Sequence, residues 1–131
     1  MRVTLFTEYS FKVLLYLSGK GEPLVTVNEI ASECHMSKNH LVKVIQNLVH
    51  SGFVKSVRGK HGGIRLAREP KLINLGDVAR QTGMNLDEVD CFDTSGGDCP
   101  FVNDCKLKYV IHNARRSYMA TMDGYTLSSI L

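Results

Sequence analysis

Two helical periods joined by a short turn, a glycine-bearing hairpin directly after them, and one long amphipathic stretch near the C-terminus predict a mostly α-helical fold. The order is that of a winged helix-turn-helix with a small β-hairpin wing, followed by a long C-terminal helix suited to dimerisation. On this basis the 131 residues divide into a winged helix-turn-helix domain with its first helix and wing over 1–82, a cysteine-bearing loop over 83–105, and a dimerisation helix and C-terminal tail over 106–131.

The opening LFTEYSFKVLLYL places Phe6, Val13, Leu14 and Leu17 on one helical stripe, and Gly19 and Gly21 close the helix. After the loop holding Pro23, the stretch TVNE, Thr26 to Glu29, matches the capping box in which two side chains satisfy the first free amides of a helix. Val27, Ile30, Ala31 and Cys34 then recur at helical spacing, which makes Cys34 a small buried residue. A short connection leads to Ser37, a good N-cap, and to the helix KNHLVKVIQNLVHSG, ended by Gly52. Leu41, Val44, Ile45, Leu48 and Val49 face inward, while Lys38, Asn39, His40, Lys43, Gln46, Asn47 and His50 face outward. The apolar segments FVKSV and IRLA flank Arg58 to Gly63, where the paired glycines are expected to supply the positive backbone angles of a tight turn. Asn74 caps a short helix over Leu75 to Gln81. A longer helix runs from about Asn103 to Met122, with Leu107, Val110, Ile111, Ala114, Tyr118 and Met122 on one stripe. Little chain remains to cover that stripe, so a second copy is its expected partner.

With 44% apolar residues the chain can bury a modest core. No apolar run reaches the roughly 18–20 residues of a membrane helix, and the start lacks a signal-peptide cleavage pattern, which points to a cytoplasmic protein. In that compartment clustered thiols serve metals or redox chemistry more than disulfides.

The net charge of +3 conceals two blocks of opposite sign. Between Glu33 and Glu69 every charged residue is basic, whereas Asp87, Glu88, Asp90, Asp93, Asp98 and Asp104 stand between Arg80 and Lys106 with no lysine or arginine among them. A basic block on a helix-turn-helix and its wing points to double-stranded DNA. Asn39 suits adenine, Lys38 and Lys43 suit guanine or phosphate, and Ser37 with the first helical amides suits a phosphate. His40 belongs to the same outward face, and Arg65 to the wing. Arg58, Lys60 and His61 are placed to enter a minor groove. A dimer would read a palindromic operator.

Cys91, Cys99 and Cys105 are separated by seven and five residues, wider than the paired ligands of structural zinc sites. Long glycine-containing loops suit an iron–sulfur cluster better, and three thiolates leave one position for another ligand, where a small molecule can attack iron. The surrounding acids do not follow an EF-hand pattern.

LFTEYSFKVLLYL, MSKNHLVKVI, VRGKHGGIRLA, INLGDVAR, the three cysteines and the closing DGYTLSSIL together resemble the winged-helix iron–sulfur transcription regulators, and within them the nitric-oxide-sensing repressors. The resemblance spans nearly the whole chain. It implies that Cys91, Cys99 and Cys105 hold a cluster, 4Fe–4S more readily than 2Fe–2S. It also implies that Glu8, standing where relatives commonly carry aspartate, completes the site from the other subunit of a homodimer. Lys108 replaces the histidine that cluster-biogenesis regulators place three residues after the last cysteine. The implied activity is repression in the cluster-bound dimer, relieved when nitric oxide destroys the cluster. Three alternatives stay open: an iron- or cluster-responsive regulator on the same scaffold, a zinc-stabilised DNA-binding protein, and a small redox carrier. No nucleophile–base pair suggests an enzyme.

Overall fold

Thr4 begins the first helix by turning its hydroxyl back to accept a hydrogen bond from the Thr7 amide at 3.1 Å, so that α1 runs Leu5–Lys20. It ends at Gly21, whose φ of 62° is cheap only without a Cβ. The computed structural model describes residues 3–21, 24–83, 99–101 and 104–131. Cys91 and the acids from Asp87 to Asp98 lie outside the described residues.

The remaining elements are α2 (Val27–Glu33), α3 (Lys38–His50), β1 (Val54–Val57), β2 (Gly63–Leu66), α4 (Leu75–Gln81) and α5 (Lys106–Asp123), with 3-10 turns at Pro70–Leu72 and Leu127–Ile130. β1 and β2 pair antiparallel with Val54 opposite Leu66 and Val57 opposite Gly63. Val25 adds a short third rung by exchanging two hydrogen bonds with Ile64, at 3.0 and 2.8 Å. The wing is thereby tied to the loop between α1 and α2. Leu14, Ile30, Leu41, Val44, Leu48, Ile73 and Val78 are fully buried, so the three N-terminal helices, the hairpin and α4 share one core.

Several local expectations change. The Thr26 hydroxyl accepts from the Glu29 amide at 3.2 Å, but Glu29 turns its carboxylate to the Tyr16 hydroxyl at 3.0 Å and to Lys20 at 3.4 Å, so it clamps α1 to α2. Ser37 occupies the N-cap position without a side-chain cap bond; its amide donates to the Tyr9 hydroxyl at 3.4 Å instead. His35 takes a φ of 52° in the turn between α2 and α3, a conformation histidine tolerates better than most residues. Val49, expected inside, is 36% exposed because it lies at the flank of the stripe formed by Leu41, Val44, Ile45 and Leu48, which stays buried to its end.

The wing glycines act differently from the turn expectation. Positive φ falls on Gly59, at 119°, and neither Gly62 nor Gly63 has it. A Cβ on Gly62 would overlap the Val57 carbonyl oxygen, and one on Gly63 would stand 2.7 Å from that of Val25. Close backbone approach explains both.

α5 starts at Lys106, after the bend at Asp104, and among its described residues none is buried; Leu107 and Val110 are more than 60% exposed. Its C-terminal end is anchored. The Asp123 carboxylate receives Arg80 at 2.6 Å, and the Asp123 carbonyl accepts from the Asn74 amide group at 2.8 Å. The tail then pairs with the start of α4: the Leu75 amide donates to Tyr125 at 3.0 Å, and the Leu127 amide to Ile73 at 2.8 Å. Leu127 is fully buried in the core. Leu127→Ala is expected to cost about 2–5 kcal/mol of stability in chemical denaturation, and a variant within about 0.5 kcal/mol of the parent would show that the tail is not part of the cooperative unit.

Candidate nucleic-acid interface

Core packing aims the basic surface. Leu41, Val44, Ile45 and Leu48 are buried along one side of α3, so the opposite side, with Lys38, Asn39, Lys43, Gln46 and His50, is exposed. No acidic residue occupies the first turn of α3. Arg58, Lys60 and His61 are exposed at the tip of the wing, while Arg65 is half-buried on β2 opposite Lys55. α3 and the wing therefore present the basic residues that the sequence singles out, with Arg65 set further back.

His40 is exposed but turns its ring towards α1, edge-on to Tyr9 with centroids 6.4 Å apart. Periodicity alone assigned it to the outward face. Val42 was not assigned from the sequence; it is 37% exposed among the polar residues of α3, where a β-branched side chain suits a thymine methyl. Its signal was present in the helical wheel, one turn from Asn39 and Gln46.

The candidate metal ligands divide between described and undescribed chain. Cys99 and Cys105 are free, half-buried thiols, and Cys91 lies outside the described residues. Among the described residues no three potential ligands come together. The two thiols nevertheless fit an iron–sulfur cluster in chemistry. They are unbridged, and Cys105 stands at the N-cap of α5 without a side-chain cap bond, so its sulfur is not committed to the helix start. Glu8 is exposed on α1 and accepts Lys12 at 2.6 Å; this hydrogen bond raises the pKa of Lys12 above the ordinary lysine value.

A buried contact links the two regions. Thr7 and Thr82 are both buried, and their hydroxyls lie 3.2 Å apart, with Thr7 also donating to the Thr82 carbonyl at 3.4 Å. Thr7 precedes Glu8, and Thr82 directly precedes the segment that leads to the cysteines. Nothing in the linear sequence signals this pair, because 75 positions separate them.

The family model of Rrf2, described as iron-dependent transcriptional regulator, matches residues 3–131. The chain is 41% identical over 132 residues to the HTH-type transcriptional regulator NsrR of Bacillus licheniformis, covering 100% of this chain and 92% of that protein. NsrR of Bacillus subtilis is also 41% identical, over 133 residues that cover 100% of this chain and 90% of that one. Among solved structures, T. potens IscR superposes with a TM-score of 0.77 at 29% identity, over 99% of this chain and 85% of that one. CymR, the global cysteine regulator of B. subtilis, gives 0.73 at 25% identity, over 99% and 95%.

Proposed function

Because this chain belongs to the Rrf2 family of iron-dependent transcriptional regulators, and so is a DNA-binding regulator and not an enzyme, we propose that it is a homodimeric repressor holding an iron–sulfur cluster and releasing its operator on exposure to nitric oxide. The supporting observation is the full-length likeness to regulators named NsrR, shared by a chain with free thiols at Cys99 and Cys105. Cys91, Cys99 and Cys105 are the proposed cluster ligands, and Glu8 of the partner subunit the fourth. When bound, the cluster supplies iron at a position not closed by sulfur, which nitric oxide can attack.

The chain's own residues convert that event into a DNA response. Glu8 stands exposed on α1, paired with Lys12 of the same helix, so its engagement by the neighbouring subunit would tether α1. α1 carries Thr7, bonded to Thr82 at the entrance to the cysteine segment, and Tyr9, bonded to the Ser37 amide at the start of α3. Displacing α1 therefore acts on both the loop and the reading helix, which gives effector and operator a shared element. Ser37, Lys38, Asn39, His40 and Lys43 on α3 and Arg58, Lys60, His61 and Arg65 on the wing are the proposed DNA contacts.

The family description favours one further reading, in which iron status is the signal. Gel shifts on anaerobically purified protein separate the two. Nitric oxide should release the operator from the cluster-bound protein within the assay, whereas mild iron limitation after assembly should not. Equal operator affinity in the cluster-bound, cluster-free and nitric-oxide-treated forms would overturn the proposal.

A further inference from the structure

Between the first turns of α1 and the N-terminal half of α3 lies a cavity of about 290 Å³, walled by Leu5, Phe6 and Tyr9 on one side and by His40, Lys43 and Val44 on the other. The walls are mostly apolar, with His40 and Lys43 as the polar rim. Elsewhere on the chain, Phe101 is 70% exposed between the two described cysteines. An aromatic ring left in water and an apolar cavity open to it are complementary features.

We propose that in the dimer each cavity receives the partner subunit's Phe101, so that the cysteine segment of one subunit braces the reading helix of the other. The proposal rests on the shared ligation described above, in which Glu8 reaches the cysteines across the interface. Phe101 follows Cys99 by two residues, which keeps their Cα atoms within about 7 Å. Leu5 precedes Glu8 by three residues, about 4.5 Å along the helix and on the same face. A carboxylate that reaches the partner's thiols therefore brings the α1 wall of the cavity and the partner subunit's Phe101 into the same region of the interface. Charge favours the same pairing: the segment bearing Phe101 carries Asp98 and Asp104 and no base, and the cavity rim carries His40 and Lys43. A two-fold axis repeats the contact, giving two seats per dimer.

Photo-crosslinking tests the seat directly. p-Benzoylphenylalanine is placed at position 101, isotopically heavy and light subunits are mixed, and the anaerobically purified protein is irradiated. Crosslinks joining heavy to light chains should map to Thr4–Tyr9 or His40–Val44. Crosslinks confined to one chain, crosslinks to another surface, or a monomeric protein with no inter-subunit product would each overturn the proposal. Phe101→Ala supplies the second measurement. It removes no cluster ligand, so iron and sulfide content should stay at the parent level, while the dimer dissociation constant should rise roughly 10–100-fold. A Phe101→Ala dimer as tight as the parent, still loaded and still responsive to nitric oxide, would refute the seat and leave the proposed function standing. Absence of iron and sulfide from the parent would instead strike the proposed function, and the crosslink map would still decide the seat.

Discussion

A Cys105→Ser chain should fold as the parent does, lack bound iron and acid-labile sulfide, and bind the operator roughly 5–150-fold less tightly than the cluster-bound parent, the range of typical allosteric coupling. The retention of fold follows from the position of the residue. Cys105 is the N-cap of α5, and its sulfur makes no cap hydrogen bond there. Serine is among the best N-cap residues, so its hydroxyl can satisfy an amide that the thiol leaves free. The substitution therefore removes a soft metal ligand while maintaining or improving the helix start, and separates ligation from folding in a single variant. Cys99→Ser should match it in iron content and operator affinity. Cys34→Ser provides the contrast: this thiol packs against the core at the C-cap of α2, and its loss should leave iron and sulfide at parent levels. Full iron content in both Cys99→Ser and Cys105→Ser would remove these thiols from the ligand set and with them the proposed sensing chemistry.

Elements governed by local periodicity were legible in the chain. Thr26 and Asn74 cap the helices expected of them, and the buried side of α3 follows its apolar spacing up to Leu48. Most of what failed depended on contacts between separate elements. Gly62 and Gly63 read as turn residues, but their absent side chains make room for Val57 and Val25, and the Val25 contact joins residues nearly forty positions apart. Glu29 reads as half of a capping box because the pattern is local, while Tyr16 and Lys20 draw it to α1. His40 reads as a DNA-facing residue, and only the packing of α1 reveals Tyr9 beside it. The candidate metal centre was legible as residue types and spacing. Its geometry was not: Cys91 lies outside the described residues, and no three potential ligands come together among the described ones. For α5 the apolar stripe was visible at once, but only its end is covered among the described residues: Met122 packs against the core, whereas Leu107 and Val110 stay exposed.

Gly63→Ala is expected to weaken operator binding at least tenfold without changing the charge of the protein. An added Cβ would lie 2.7 Å from the Val25 carbonyl oxygen and 3.0 Å from the Leu24 Cβ. The obstacle is backbone, so it cannot rotate aside; either the hairpin shifts or the two Val25–Ile64 hydrogen bonds break. At about 0.5–1.5 kcal/mol each, those bonds are too few to unfold a domain whose core lies mostly in the helices. The protein should remain folded with its wing displaced. The proposed phosphate contacts of Arg58 and Lys60 are then lost, and each lost phosphate contact lowers the slope of log affinity against log salt by about 0.9. Gly63→Ala should reduce that slope by nearly two, as should the Arg58→Ala, Lys60→Ala double variant, although only the latter removes positive charge. Agreement between these two slopes identifies placement of the wing, and not bulk charge, as the determinant of binding. If both variants keep the parent's slope and affinity, the wing does not touch DNA, and the operator is read without it.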